Sequence, residues 1–191
     1  MSDLPGTADQ AHANAHAEQW DAHLASEFQL KSTETALATM TANPLVNIVP
    51  LMIGAHGREA LRDFYSNHFL NQIPDDMAII PVSRTIGQER LVEEGVLKFT
   101  HSVQMDWLLP GIAPTGKPIE LAMVVIVQFE EGKIAHEHLY WDQATLLRQA
   151  GLLDDPALPI LGAEHARQVI APTLPMNALL RRAEKLAEKT P

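Results

Sequence analysis

Apolar and polar positions follow two different periods along this chain, and the change of period divides it into parts. From His16 to about Leu30, Trp20, Leu24 and Phe28 recur at i, i+4 and i+8, which marks one helical stripe. The stripe continues into Thr33 to Met40 after a break at Ser32. Asn43-Pro44 then interrupts, and Val46, Ile48 and Val49 predict a short extended segment stopped by Pro50. After Gly57, the residues Leu61, Phe64, Tyr65, His68 and Phe69 share one broad helical face, predicting a second packing helix that ends near Pro74.

The period then shortens to two. Four strands are predicted, Met77 to Ile86, Leu91 to Met105, Ile119 to Phe129 and Ile134 to Trp141, arranged as an antiparallel meander. Gly87-Gln-Glu and Glu130-Glu131-Gly132-Lys133 supply short turns, whereas Trp107 to Pro118 is too long for a minimal hairpin. Its Trp107-Leu108-Leu109 run is expected to cap a pocket or to bury itself against another subunit, since contiguous exposed apolar surface is limited. Asp142 opens a further helix with Leu146, Leu147 and Ala150 on its apolar side and Gly151 as its stop. Near the end, Leu179, Leu180, Ala183, Leu186 and Ala187 form a short amphipathic helix beside Arg181, Arg182, Lys185 and Lys189, with Glu184 and Glu188 interleaved, read as packing on the body or on another subunit. The expected organisation is a flexible N-terminal arm over residues 1–14, one domain over 15–155 and a C-terminal extension over 156–191. The fold class is α+β: a curved mixed or mainly antiparallel sheet covered by N-terminal helices, with a conical interior as the default site.

Composition narrows the partners. With 46% hydrophobic residues in 191, a core forms without staples, and the absence of cysteine excludes thiol and disulfide chemistry. Fourteen Lys plus Arg against twenty-four Asp plus Glu, a net charge of -10, argue against nucleic acid. The longest apolar run, Leu121 to Val127, is far short of a membrane span, and the N-terminus has no basic region feeding a hydrophobic stretch, so no membrane partner and a cytoplasmic location are expected.

Candidate chemistry concentrates in the last strand, where alternation puts Ile134, His136, His138, Tyr140 and Asp142 on one face and Ala135, Glu137, Leu139 and Trp141 on the other. Two histidines, a phenol and a carboxylate on one face can relay protons, which makes His138 and Asp142 the leading catalytic candidates with His136 and Tyr140 beside them; the competing reading is a polar sheet edge. His101 on the neighbouring strand is a pocket hydrogen-bonding group. His136 and His138 could also supply two metal ligands, with His101 and Asp106 as completions, but two ligands make no site, so neither metal nor cofactor is expected. Glu93 and Glu94 point to opposite faces, so at most one enters the cavity. Arg84 is placed at the opening to orient a carbonyl or anionic group, or else snorkels on the surface. Tyr65 and His68 lie three apart on the packing helix, where core packing is the stronger reading. Together with Trp107, Met123 and Trp141 this supply suits a small, mostly hydrophobic organic ligand. Gly54-Ala-His-Gly57 lacks the spacing of a phosphate loop, and no GxSxG elbow is present.

The stretch GKIAHEHLYWDQATLLRQAGLLD, residues 132–154, and the preceding DWLLPGIAPTGKPIELAMVVIVQFEEGK, residues 106–133, resemble the SnoaL-like branch of the nuclear-transport-factor-2-like superfamily, and the resemblance covers about Ala17 to Asp155. It implies a cone-shaped α+β fold of the NTF2-like or cystatin-like kind and a homodimer. It also implies a cofactor-independent cyclase, isomerase or dehydratase using acid–base chemistry on a small hydrophobic carbonyl compound, with His138, Asp142 and His101 as catalytic candidates. The alternative is a non-catalytic small-molecule-binding or dimeric scaffold protein.

Overall fold

The computed structural model describes residues 6–188, with side chains from residue 11 onward; the first five residues of the expected arm and Lys189 of the basic helix lie outside the described residues. Six strands, β1 (Met40–Ile48), β2 (Ile53–His56), β3 (Ala78–Ile86), β4 (Arg90–Thr100), β5 (Pro118–Glu130) and β6 (Lys133–Trp141), form one sheet in the order β2-β1-β6-β5-β4-β3. The predicted meander is β3 to β6. Of the other two strands, β1 lies parallel to β6 and makes the sheet mixed, and β2 pairs antiparallel with β1 at the edge.

β1 begins at Met40, where the pattern predicts the end of a helix, and runs through Asn43-Pro44 rather than starting after it. Proline is tolerated here because the ladder to β6 shifts register between Met40 and Leu45, so no paired N–H is lost. Gly54 opposes Asn47 on β1, and a Cβ at this position would come 2.0 Å from the Val46 carbonyl oxygen, so only glycine permits the β1–β2 approach. β4 ends at Thr100, five residues before the predicted limit, and the long connection folds back on it through His101, whose backbone N–H donates to Lys117 O at 3.0 Å.

Helix α1 (Gly6–Leu24) covers the sheet, and its helical span enters the stretch expected as an arm. It runs directly into a π-helical turn, Ala25–Gln29. After the expected break, Ser32 caps α2 (Thr33–Ala38) by accepting from the Thr35 N–H. α3 (Arg58–Phe64) likewise passes into a π-helical turn, Tyr65–Phe69. One core joins Trp20, Leu37, Leu61, Phe64 and Phe69 of these segments to Leu91, Leu97, Leu121, Val125 and Val127 of the sheet. Trp107, Leu108 and Leu109 bury into this core within the same chain.

α4 (Gln143–Ala150) and α5 (Glu164–Ile170) pack against β5. α4 stops at Gly151, left-handed at φ 73°, with the Leu152 N–H reaching back to Leu147 O at 2.9 Å. α6 (Ala178–Ala187) buries no residue. Among the described residues, no helix is long and apolar enough to cross a membrane.

Candidate functional site

The hairpin between β5 and β6 decides which side chains enter the cone. Glu131 and Gly132 form its two-residue turn, both with positive φ (50° and 74°), the requirement of a tight hairpin that matches strand twist. Beyond it the pleat sends Ala135, Glu137, Leu139 and Trp141 inward. Glu137 is only 3% exposed, and it lines an interior cavity together with Leu139. Of the opposite set, Ile134 lies in the core next to a register shift against β5, whereas His136 and Tyr140 are exposed and His138 is half-buried.

The cavity lies between the helices and β4, β5 and β6. Its apolar wall comes from Leu24, Phe28, Phe69, Leu97, Trp107, Met123, Val125 and Leu139, and its carboxylates are Glu27, Glu93 and Glu137. Its volume is about 40 Å³ measured to the centres of water-sized spheres, room for a few water-sized groups. Both π-helical turns border it, the first with Glu27 and Phe28, the second with Phe69, against which the Tyr65 ring packs at a tilt. Such turns carry one extra residue and recur at functional sites, because they redirect side chains that a continuous helix would place elsewhere.

Glu27 and Glu137 converge on a single imidazole. His23, one turn before Glu27 on α1 and fully buried, has Nε2 3.0 Å from Glu27 Oε1 and 3.1 Å from Glu137 Oε1. The Tyr65 hydroxyl lies 3.4 Å from the same nitrogen. On the other side of the ring, Nδ1 is 2.6 Å from Thr39 Oγ1, and that hydroxyl itself donates to Ala36 O at 2.6 Å. Thr39 Oγ1 therefore accepts from Nδ1–H, which fixes the tautomer and aims Nε2 at the carboxylates. Burial alone would lower the His23 pKa, but the facing Glu137 and Glu27 carboxylates more than reverse this and hold it well above its ordinary value. Burial pushes the Glu137 carboxyl up, against the opposing pull of His23. Tyr65 is raised well above its ordinary value by burial and then by the two carboxylates.

Glu93 is held differently. Trp20 Nε1 donates to it, and Arg84 binds it at 2.8 Å while also pairing with Asp21 at 2.9 Å. Glu93 enters the cavity wall and Glu94 points away, as the alternation predicts. Arg84 acts one layer behind, fixing Glu93 and tying β3 to α1 and β4.

The structure does not bring His138, Asp142 and His101 together. Asp142 caps α4, accepting from the Ala144 and Thr145 N–H groups and from the Thr145 hydroxyl. His101 is buried at the end of β4, where Nδ1 accepts from the Thr115 N–H at 3.3 Å; burial lowers its pKa. His136 and His138 stack on the outer face with ring centroids 6.5 Å apart. His136 also lines an open groove with His12, His16 and His56. Tyr140 is 40% exposed. His68 faces Asp106 at 3.4 Å on the surface. Of the expected pocket residues, Trp107 lines the cavity, fully buried with Nε1 lacking a hydrogen-bond partner, and Tyr65 closes the back of the cluster.

His23, Glu27 and the inward direction of Glu137 are the features that sequence reasoning missed. The signal was present on α1: His23 and Glu27, spaced i and i+4, lie beside the Trp20, Leu24 and Phe28 stripe, so two ionisable groups follow an apolar face into the core.

None of the curated proteins compared with the chain matches it. Among solved structures, the chain is similar to an NTF2-like protein of unknown function from Burkholderia pseudomallei, at 18% identity over 71% of this chain and 97% of that one, with a TM-score of 0.55. It is similar to a protein with a ketosteroid isomerase-like fold from Catenulispora acidiphila, at 15% identity over 71% and 93%, with a TM-score of 0.55. IdmH from Streptomyces antibioticus matches at 20% identity over 71% and 98%, with a TM-score of 0.53. These likenesses establish the fold, a helix-covered cone with a mixed sheet. The family model described as SnoaL-like polyketide cyclase matches residues 14–150, and the chain belongs to that family.

Proposed function

We propose that the chain is an acid–base enzyme acting on a small hydrophobic carbonyl compound held in the cone, catalysing a cyclisation, isomerisation or elimination. One observation carries this reading: a buried carboxylate, Glu137, stands in the wall of a mainly apolar cavity, paired with a buried histidine and close to a second carboxylate, Glu27, of the same wall. Desolvation makes such a carboxylate a stronger base than one in water, and a bound compound filling the cavity would displace competing water.

In this reading Glu137 removes a proton from a carbon next to the carbonyl. The oxygen of the developing enolate accepts from Trp107 Nε1–H, a donor in the same cavity with no protein partner. His23 balances the charge behind Glu137, and Glu137 returns the proton at the end of the reaction. A cavity of about 40 Å³ is smaller than such a compound, so its walls must part for the compound to enter. The outer face of the sheet, with Val92 and Tyr140 exposed, is the proposed contact of a homodimer, and a monomer in sedimentation equilibrium would contradict it.

The test is proton exchange. A panel of hydrophobic 1,3-dicarbonyl compounds in deuterated buffer, followed by NMR at the activated C–H position, should include members whose exchange the protein accelerates. A panel exchanging no faster than in buffer alone favours the non-catalytic binding reading.

A further inference from the structure

The His23, Glu27 and Glu137 side chains have a second chemical capacity. One ligand atom from each lies within 4.8 Å of the other two, and all three residues are buried. Metal–nitrogen and metal–oxygen bonds of about 2.1 Å at right angles put neighbouring ligand atoms roughly 3 Å apart. The Nε2 contacts to Glu27 and Glu137, 3.0 and 3.1 Å, match that edge.

Three further observations point to a cation. Glu137 Oε1 is buried and makes no hydrogen bond; its contact with His23 Nε2 is close but lies out of line for one. No Lys or Arg pairs with Glu27 or Glu137 among the described residues, so two buried carboxylates face one imidazole and retain net negative charge even when it is protonated. Thr39 accepts from the far ring nitrogen and is itself anchored on the Ala36 carbonyl, the outer-shell arrangement that orients metal-binding histidines.

We propose that His23 Nε2, Glu27 and Glu137 form a buried site for a divalent first-row transition-metal ion, with its open coordination positions facing the apolar cavity. One nitrogen and carboxylate oxygens suit zinc, cobalt or manganese, whereas calcium and magnesium prefer oxygen alone. The cavity beside Glu27 and Glu137 has room for the waters that complete the shell. A loaded ion occupies the place where Glu137 would act as a base, so loading and the proposed proton transfer exclude each other. The ion site is read by binding and stands or falls independently of turnover.

The experiment titrates Co²⁺ into the metal-stripped full chain, following visible absorption and the fluorescence of Trp20, whose ring lies 5.6 Å from that of His23. One ion per chain is expected, with quenching of Trp20. Glu27→Gln and Glu137→Gln should each remove the binding. Thr39→Val keeps all three ligands and should weaken it by about 10–100-fold, a readout that survives if a Gln variant fails to fold. His136→Ala and His138→Ala should leave it unchanged. No stoichiometric binding by the wild type, binding that persists in both Gln variants, or loss only in the outer-face histidine variants overturns the proposal.

Discussion

At the scale of single residues, the buried cluster makes asymmetric demands on stability. Removing the imidazole leaves Glu27 and Glu137 facing each other without compensation, so His23→Ala should cost about 3–5 kcal/mol in urea unfolding, the penalty of an orphaned buried charge. Glu137→Gln removes one of two like charges while keeping the shape, and the same titration should show a far smaller change. Equal losses in the two variants would contradict the charge balance described. Asp106 gives a separate pH signature at the surface. Hydrogen bonds from Gln72 and Gln104 hold its carboxyl down at about 2. A carboxylate depressed in the folded state contributes stability that is fully present above its unfolded value, about 3.9, and is lost as the pH falls through its folded value. Acid unfolding between pH 4 and 2 should therefore move less on protonation in Asp106→Asn than in the wild type, and superimposable acid titrations would contradict this.

At the scale of elements, the two π-helical turns place the site. Glu27 reaches His23 and the cavity from the Ala25–Gln29 turn, and deleting one residue from that turn should restore α-helical phase and swing Glu27 away by about 100°. Helix content by circular dichroism should hold while Co²⁺ binding disappears; retained binding would show that the turn is incidental. Asp142 belongs to this scale as well, since it ends β6 and begins α4 with three accepted hydrogen bonds. Asp142→Ala should cost about 1 kcal/mol of unfolding free energy, the usual loss of an N-cap. The meander, Gly151 and the Glu131-Gly132 turn were legible because period-two alternation and turn chemistry are local. The alternation of β6 was legible too, but which face points inward was not: polar His136 and His138 and polar Glu137 balance, and the choice rests on β6 pairing with β1 on one side and β5 on the other. The second half of β1 was legible at Val46 and Ile48, but its first half was hidden by Asn43-Pro44, whose tolerance depends on a register shift visible only in the assembled sheet.

At the scale of the whole molecule, helices over one face of a mixed sheet leave an apolar interior whose few ionisable groups come from segments far apart in sequence: α1, β4 and β6. Glu93, tied to Trp20 and Arg84, and Glu137, set against His23, sit in the same cavity wall but in different electrostatic surroundings. Of the two, Glu93 is paired with an arginine, whereas Glu137 is backed by an ionisable imidazole. The measurement that reaches this claim most directly compares, on a 1,3-dicarbonyl compound that the wild type exchanges, the deuterium incorporation rates of Glu137→Gln and His138→Ala. Loss of about 100-fold or more in Glu137→Gln, with His138→Ala near the wild-type rate, places the chemistry inside the cone; a fully active Glu137→Gln beside an inactive His138→Ala would place it on the outer face and contradict the site.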